Sequence, residues 1–152
     1  MRKLHYTMHF RSRTSAASGN LGLLHTAGSA PSCVVSTFIC PSGIRTDVQG
    51  TGDGGLAFFE SDLRITGPEE FQEDGSITFG DESEHLLRFS TVGKGHIATG
   101  LEPGTMTGTA SWRVDGGEGQ FAAARGLITS AFTINGAGDR CDLHCGLIFL
   151  TE

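Results

Sequence analysis

The stretch GGEGQFAAARG, Gly116 to Gly126, lies between two runs built for strands. Before it, TMTGTASWRV sets Met106, Gly108, Ala110, Trp112 and Val114 on one face and Thr105, Thr107, Thr109, Ser111 and Arg113 on the other. After it comes GLITSAFTI, rich in β-branched residues. Period-two alternation marks a strand with one buried face, so the small residues between form a corner. Glycines at 116, 117 and 119 permit a tight turn with positive φ, and Phe121 supplies one large apolar anchor. Ala122, Ala123 and Ala124 let a neighbouring strand come close, and Gly126 allows a kink. A phosphate-binding loop would need a GK[ST] sequence and a helical pattern behind it, and neither follows.

Other segments repeat the strand pattern. KLHYTMHF places Leu4, Tyr6, Met8 and Phe10 opposite Lys3, His5, Thr7 and His9. LAFFESDLRIT places Ala57, Phe59, Ser61, Leu63 and Ile65 opposite Phe58, Glu60, Asp62 and Arg64. CVVSTFIC, IRTDVQG, SITFG, HLLRFSTVGKGH and RCDLHCGLIFL read as further strands. Residues 11–31 are rich in Ser, Gly and Ala and read as a long loop with a short element at LGLLH. GPEEFQEDG is polar, and Pro68 is expected to break a strand there. No long amphipathic helix pattern occurs, and 23 of 152 residues are glycine, which helix interiors tolerate badly. The expectation is one all-β domain over residues 1–152 with about eight strands. A closed barrel is favoured because closure removes exposed sheet edges.

The formal net charge is −6, and the few basic residues near the start, Arg2, Lys3, Arg11 and Arg13, make no basic face. Nucleic acid is therefore not an expected partner. The start of the chain has no apolar signal core and no run is long enough for a membrane span, so a cytoplasmic protein with reduced thiols is expected. Of the four cysteines, Cys33 and Cys40 fall near opposite ends of one strand and cannot bridge. In CDLHC, Cys141 and Cys145 share one face while His144 points away, so no metal site is expected and the thiols read as small buried groups.

The corner, written GG-x-G-x-F-x-x-A-R-G and followed by two closing strands, resembles the C-terminal half of dirigent proteins. With TFGDESEHLLRFS upstream it is also similar to allene oxide cyclases. The resemblance spans roughly residues 77 to 150. It carries over Gly116, Gly117, Gly119, Phe121, Ala124, Arg125 and Gly126 as barrel architecture. It implies an eight-stranded antiparallel barrel, a homotrimer, and a cofactor-free cyclase or isomerase that folds a reactive hydrophobic substrate into one shape. The alternatives are a barrel that binds a hydrophobic small molecule without changing it, and a trimeric scaffold with a filled barrel.

A barrel of eight strands just holds one small ligand or fills itself with side chains. The faces richest in apolar groups nominate Met8, Phe59, Phe89, Met106, Trp112 and Phe132, with Ser61 and Ser130, as ligand-lining residues. Tyr6 could donate to a developing oxyanion, and His85 could act as acid or base near neutral pH. Glu60 and Asp62 form the alternative acid–base pair should that strand's faces be reversed.

Overall fold

In the computed structural model, residues 1–17, 19–20 and 22–151 are described. Among these residues eleven strands form: β1 (Arg2–Ala16), β2 (Leu23–Pro31), β3 (Cys33–Cys40), β4 (Gly43–Gly50), β5 (Leu56–Gly67), β6 (Glu70–Phe79), β7 (His85–Thr91), β8 (Gly95–Thr99), β9 (Met106–Glu118), β10 (Arg125–Ile134) and β11 (Asp139–Leu150). One 3₁₀ turn spans Gly119–Phe121. Among the described residues no helix is long and apolar enough to cross a membrane.

The main sheet runs β10-β11-β1-β2-β5-β6-β7-β9-β8, and pairing of β9 with β10 closes it. β7 and β8 share one place, since both lie between β6 and β9. The result is a closed, eight-stranded antiparallel barrel, as expected. β3 and β4 pair only with each other and stand outside the ring as a hairpin. One seam is incomplete: β1 pairs with β2 from Arg11 to Ala16, so Arg2–Phe10 has no registered strand partner on that side.

Two expectations about strands need correction. Residues 11–31 are mostly strand, because β1 runs on to Ala16 and β2 pairs back against it. Small residues there are packing features: Gly28 lies against the Arg11 backbone and Ser12, where a Cβ would not fit. Pro68 also breaks nothing. It lies in the turn between β5 and β6, and Glu70–Gly75, within the polar segment where a strand was expected to break, forms the first half of β6.

At the corner Gly119 and Phe121 behave as expected, but Ala122 and Ala123 are exposed and are not packed under a neighbouring strand as expected. Gly119 adopts φ +60°, and a side chain there would collide with His85. Phe121 and Ala124 are buried against the barrel end, whereas Ala122 and Ala123 are exposed.

Candidate functional site

The bore of the barrel is lined by alternate residues of each strand. Phe59 on β5, Phe89 on β7 and Trp112 on β9 stack across its centre, with Phe89 and Trp112 centroids 4.1 Å apart. Phe10 on β1 and Phe132 on β10 extend this aromatic wall, and both are buried. Such a lining is expected of a β core. The polar groups set into it are not.

Four ionisable side chains of the bore, Glu73, Arg140, Asp142 and His144, are fully enclosed. Arg140 donates to Glu73 Oε1 at 2.8 Å and to Asp142 Oδ2 at 2.6 Å. Its guanidinium also lies 4.0 Å from the Phe132 ring centroid. Ser61 donates to Glu73 at 2.6 Å, and Ser130 donates to Asp142 Oδ1 at 2.7 Å. His144 Nε2 lies 3.2 Å from Asp142 Oδ2, but off the line a hydrogen bond needs, so that nitrogen keeps no well-aligned partner. On the ring's other side, Nδ1 is 3.3 Å from the Tyr6 hydroxyl. The imidazole is held edge-on to Trp112 at 4.8 Å between centroids. Trp112 Nε1 is likewise buried without a hydrogen-bond partner.

These contacts set the electrostatics. Burial alone would push the Asp142 carboxyl up, but His144, then Arg140 and Ser130, outweigh it and hold it at about 2. Burial would pull Arg140 down, and the charges of Glu73 and Asp142 more than offset that. Tyr6 is raised well above the usual phenol range, first by burial and then by the Asp142 charge. Its hydroxyl therefore keeps its proton and serves as a donor. Arg140, Asp142, His144 and Tyr6 thus form a chain of contacts, hydrogen-bonded between Arg140 and Asp142 and between Tyr6 and His144, and joined by the 3.2 Å approach of His144 to Asp142 in the middle.

The residues nominated from the sequence fall into three places. Tyr6, Phe59, Ser61, Phe89, Trp112, Ser130 and Phe132 all face the bore and are buried. Met8 faces the same way but is half-buried. Met106 lies at the start of β9 and is 39% exposed, so it is a rim residue. His85 is also at a rim, where its Nδ1 accepts the Gln120 N–H at 3.2 Å and its Nε2 is 3.7 Å from Glu84. There it meets the corner turn and lies apart from the buried line. Glu60 and Asp62 point outward and bracket His25 at 3.2 and 3.0 Å, so β5 is not reversed and this pair is outside the bore. Cys141 and Cys145 are exposed, contrary to the expected small buried thiols, because β11 turns its polar face inward.

Glu73, Arg140, Asp142 and His144 were not singled out as catalytic candidates. Glu73 sits in GPEEFQEDG, the polar segment where Pro68 was expected to break a strand. The other three carried a usable signal: in RCDLHCGLIFL they share a phase with the inward Ile148 and Leu150, while Cys141, Leu143, Cys145 and Leu147 share the other. Reading the apolar phase as the inside hides them.

No protein-family model matches this sequence, and no curated protein matches it. Among solved structures, a pterocarpan synthase dirigent protein is similar, with a TM-score of 0.59 and 16% identity over 99% of this chain and 89% of that one. The likeness thus spans both halves of the chain. At this identity it shows the fold alone, a dirigent-like barrel, and the site must speak for its own chemistry.

Proposed function

We propose that the barrel takes a hydrophobic, unsaturated small molecule bearing a carbonyl or phenol oxygen and shapes it for a cofactor-free cyclisation or isomerisation. The observation that carries this reading is the buried line Arg140–Asp142–His144–Tyr6 inside an aromatic bore. A core of this size is stabilised as well or better by apolar residues, and a buried ion network is weak support for stability. Titratable groups set in a closed apolar site are instead what proton-transfer chemistry requires.

Tyr6 is the donor to the substrate oxygen. His144, oriented by Asp142, takes a proton from one carbon or oxygen and returns it to another. Bonds are exchanged within one molecule, so no oxidant or reductant enters the balance. The aromatic walls hold the reacting conformer, which is the larger part of such catalysis. Leu4, Met8 and Phe79, half-buried around the core near Tyr6, are the groups that yield to admit the substrate beside the open seam of β1. The four free cysteines fit a reducing compartment, the cytoplasm.

A second reading has its own support. The stack of Phe59, Phe89 and Trp112 fills the middle of the bore, as in a barrel that binds at most weakly and serves as an oligomeric scaffold. The chain's single tryptophan makes the test direct. Trp112 fluorescence is titrated with a panel of phenols and polyunsaturated carbonyl compounds. A saturable change with at least one compound supports an occupied bore, and conversion of that compound supports the enzyme. A saturable change without conversion leaves a binding protein, and a flat response across the panel leaves the filled scaffold.

A further inference from the structure

The side of the barrel beside Tyr6 is open along one strand edge. On β1, Thr14 donates its N–H to Gly138 O, next to the Arg13–Asp139 pair with β11. Alternation along an extended strand then turns the backbone N–H and C=O of Lys3, His5, Thr7 and His9 away from β11 and toward the seam. Among the described residues no strand is registered against them there. Pro31 explains where the β1–β2 ladder ends. In the register of Arg11 with Ser29 it faces His9, and it has no N–H to give. Unpaired backbone groups along such an edge are a template for another strand.

The β3–β4 hairpin leaves the ring at this gap. Ser32 alone separates β2 from β3, whereas Thr51–Gly55 separates β4 from β5, and Gly52, Gly54 and Gly55 lie in that return arm. Extra residues on one arm bend a paired ribbon, and a groove of about 370 Å³, lined by His9 and Arg11 on one side and Cys33 and Val48 on the other, parts β1 from the hairpin base. Ser32 is the pivot. Its N–H donates to Gly55 O at 3.2 Å, and its carbonyl accepts the Thr51 N–H at 2.9 Å. Both groups point to the return arm, so alternation aims the N–H and C=O of Cys33, Val35 and Thr37 the other way, where β1 lies. The side chains are in phase as well. Ala30 faces the bore and is buried, which puts Val34 and Phe38 on the bore side of a straightened strand. As the hairpin stands they are 52% and 43% exposed. Carried through Ser32, the β1–β2 register sets Val34 opposite Tyr6 and Phe38 opposite Arg2.

We propose that the hairpin is a hinged flap: it swings at Ser32 and Thr51–Gly55, β3 adds to the free edge of β1, and the side of the bore beside Tyr6 closes. The swing pairs two free edges with each other. It also covers Val34 and Phe38 against Leu4 and Met8, the half-buried inward residues of that part of β1. A two-stranded ribbon alone in water is marginal, so little resists the motion, and a few small loop residues suffice to absorb it. What the flap encloses rests on the function proposed above; the β1–β3 pairing does not.

The experiment traps the closed register in the whole chain, with its four native cysteines replaced by serine. Leu4→Cys with Ser36→Cys places two thiols opposite each other when β3 lies on β1. Leu4→Cys with Asp47→Cys moves the second thiol one strand farther, since Asp47 is the β4 partner of Ser36. Under mild oxidation the first pair is expected to form a disulfide within one chain and the second is not, with far-ultraviolet circular dichroism of both reduced variants unchanged. No intrachain disulfide in the folded first variant overturns the flap. Equal trapping of both pairs shows an unregistered swing and overturns it, and disulfides formed only between chains do the same. The oxidised first variant is then mixed with a compound that changes Trp112 fluorescence. Its uptake is expected to be slower than in the reduced form by roughly tenfold or more, and added reductant restores it. Unchanged uptake in the trapped form overturns closure of the bore. A panel with no responding compound counts against the function proposed for the bore, and the disulfide then decides the flap by itself.

Discussion

β5 and β11 are both strands of the ring, both alternate, and they are inside out relative to each other. β5 turns Ala57, Phe59, Ser61 and Leu63 inward and leaves Phe58, Glu60, Asp62 and Arg64 in solvent. β11 turns Arg140, Asp142 and His144 inward and leaves Cys141, Leu143, Cys145 and Leu147 outside. The first arrangement is what burial of apolar surface alone would select. The second requires a reason inside the barrel. There the charges answer one another and reach Glu73 and Tyr6, while Leu143 and Leu147 on the other face stay 39% exposed. β11 therefore gives up apolar burial for an enclosed charge network, and β5 does not.

The largest test of the contrast removes one cation from each strand. Arg140→Met leaves Glu73 and Asp142 enclosed without their partner, and should destabilise the fold by about 3–5 kcal/mol. Arg64→Met breaks only the exposed pair with Asp74, 2.7 Å in length, and should change stability by less than about 1 kcal/mol. Denaturant unfolding of both variants measures the difference, and equal effects would erase the distinction between the strands. A triple replacement sharpens it. Glu73→Leu, Arg140→Met and Asp142→Leu together should recover much of the lost stability while abolishing any turnover, since apolar substitutes fill the space but move no proton.

A smaller effect follows from acid. Asp142 is held at about 2, below the ordinary carboxylate value of 3.8. A group depressed on folding contributes stability that is complete above its unfolded pKa and disappears as pH falls through its folded one. Stability should therefore drop by about 2 kcal/mol as pH falls from about 5 to about 2 on account of this residue. Asp142→Asn should be less stable at neutral pH and lose less over the same window. An unchanged slope in that variant would mean that the acid sensitivity resides elsewhere.

The contrast also explains how much could be read from residues alone. The corner at Gly116–Gly126, the alternation of β5 and β9, and the inward phase of Trp112 and Phe132 follow from local geometry, so the barrel was legible. The lining residues on ordinary strands, Phe59, Ser61, Phe89 and Ser130, were legible for the same reason. β11 was legible in phase but not in direction, because period two tells which residues share a face and not which face is inside. Glu73 was hidden by Pro68, whose turn role depends on β5 and β6 pairing across it. The strand character of residues 11–31 was hidden because Ser, Gly and Ala have weak preferences that partner strands override.

The finest test concerns the single hydroxyl of Tyr6. Tyr6→Phe keeps the ring, and with it the edge contact to Phe79 at 6.4 Å between centroids. It removes only the oxygen that faces His144 Nδ1 at 3.3 Å. The loss in stability should be about 1 kcal/mol, the net worth of one buried hydrogen bond. If Tyr6 is only a core tyrosine, that is the whole effect, and a compound that changes Trp112 fluorescence should bind and react as before. If Tyr6 donates to the substrate oxygen, the same compound should still saturate the Trp112 signal, because the aromatic walls are intact, while its conversion falls at least tenfold. Full activity in the folded variant would remove Tyr6 from the mechanism and leave the buried charges of β11 to be explained by architecture alone.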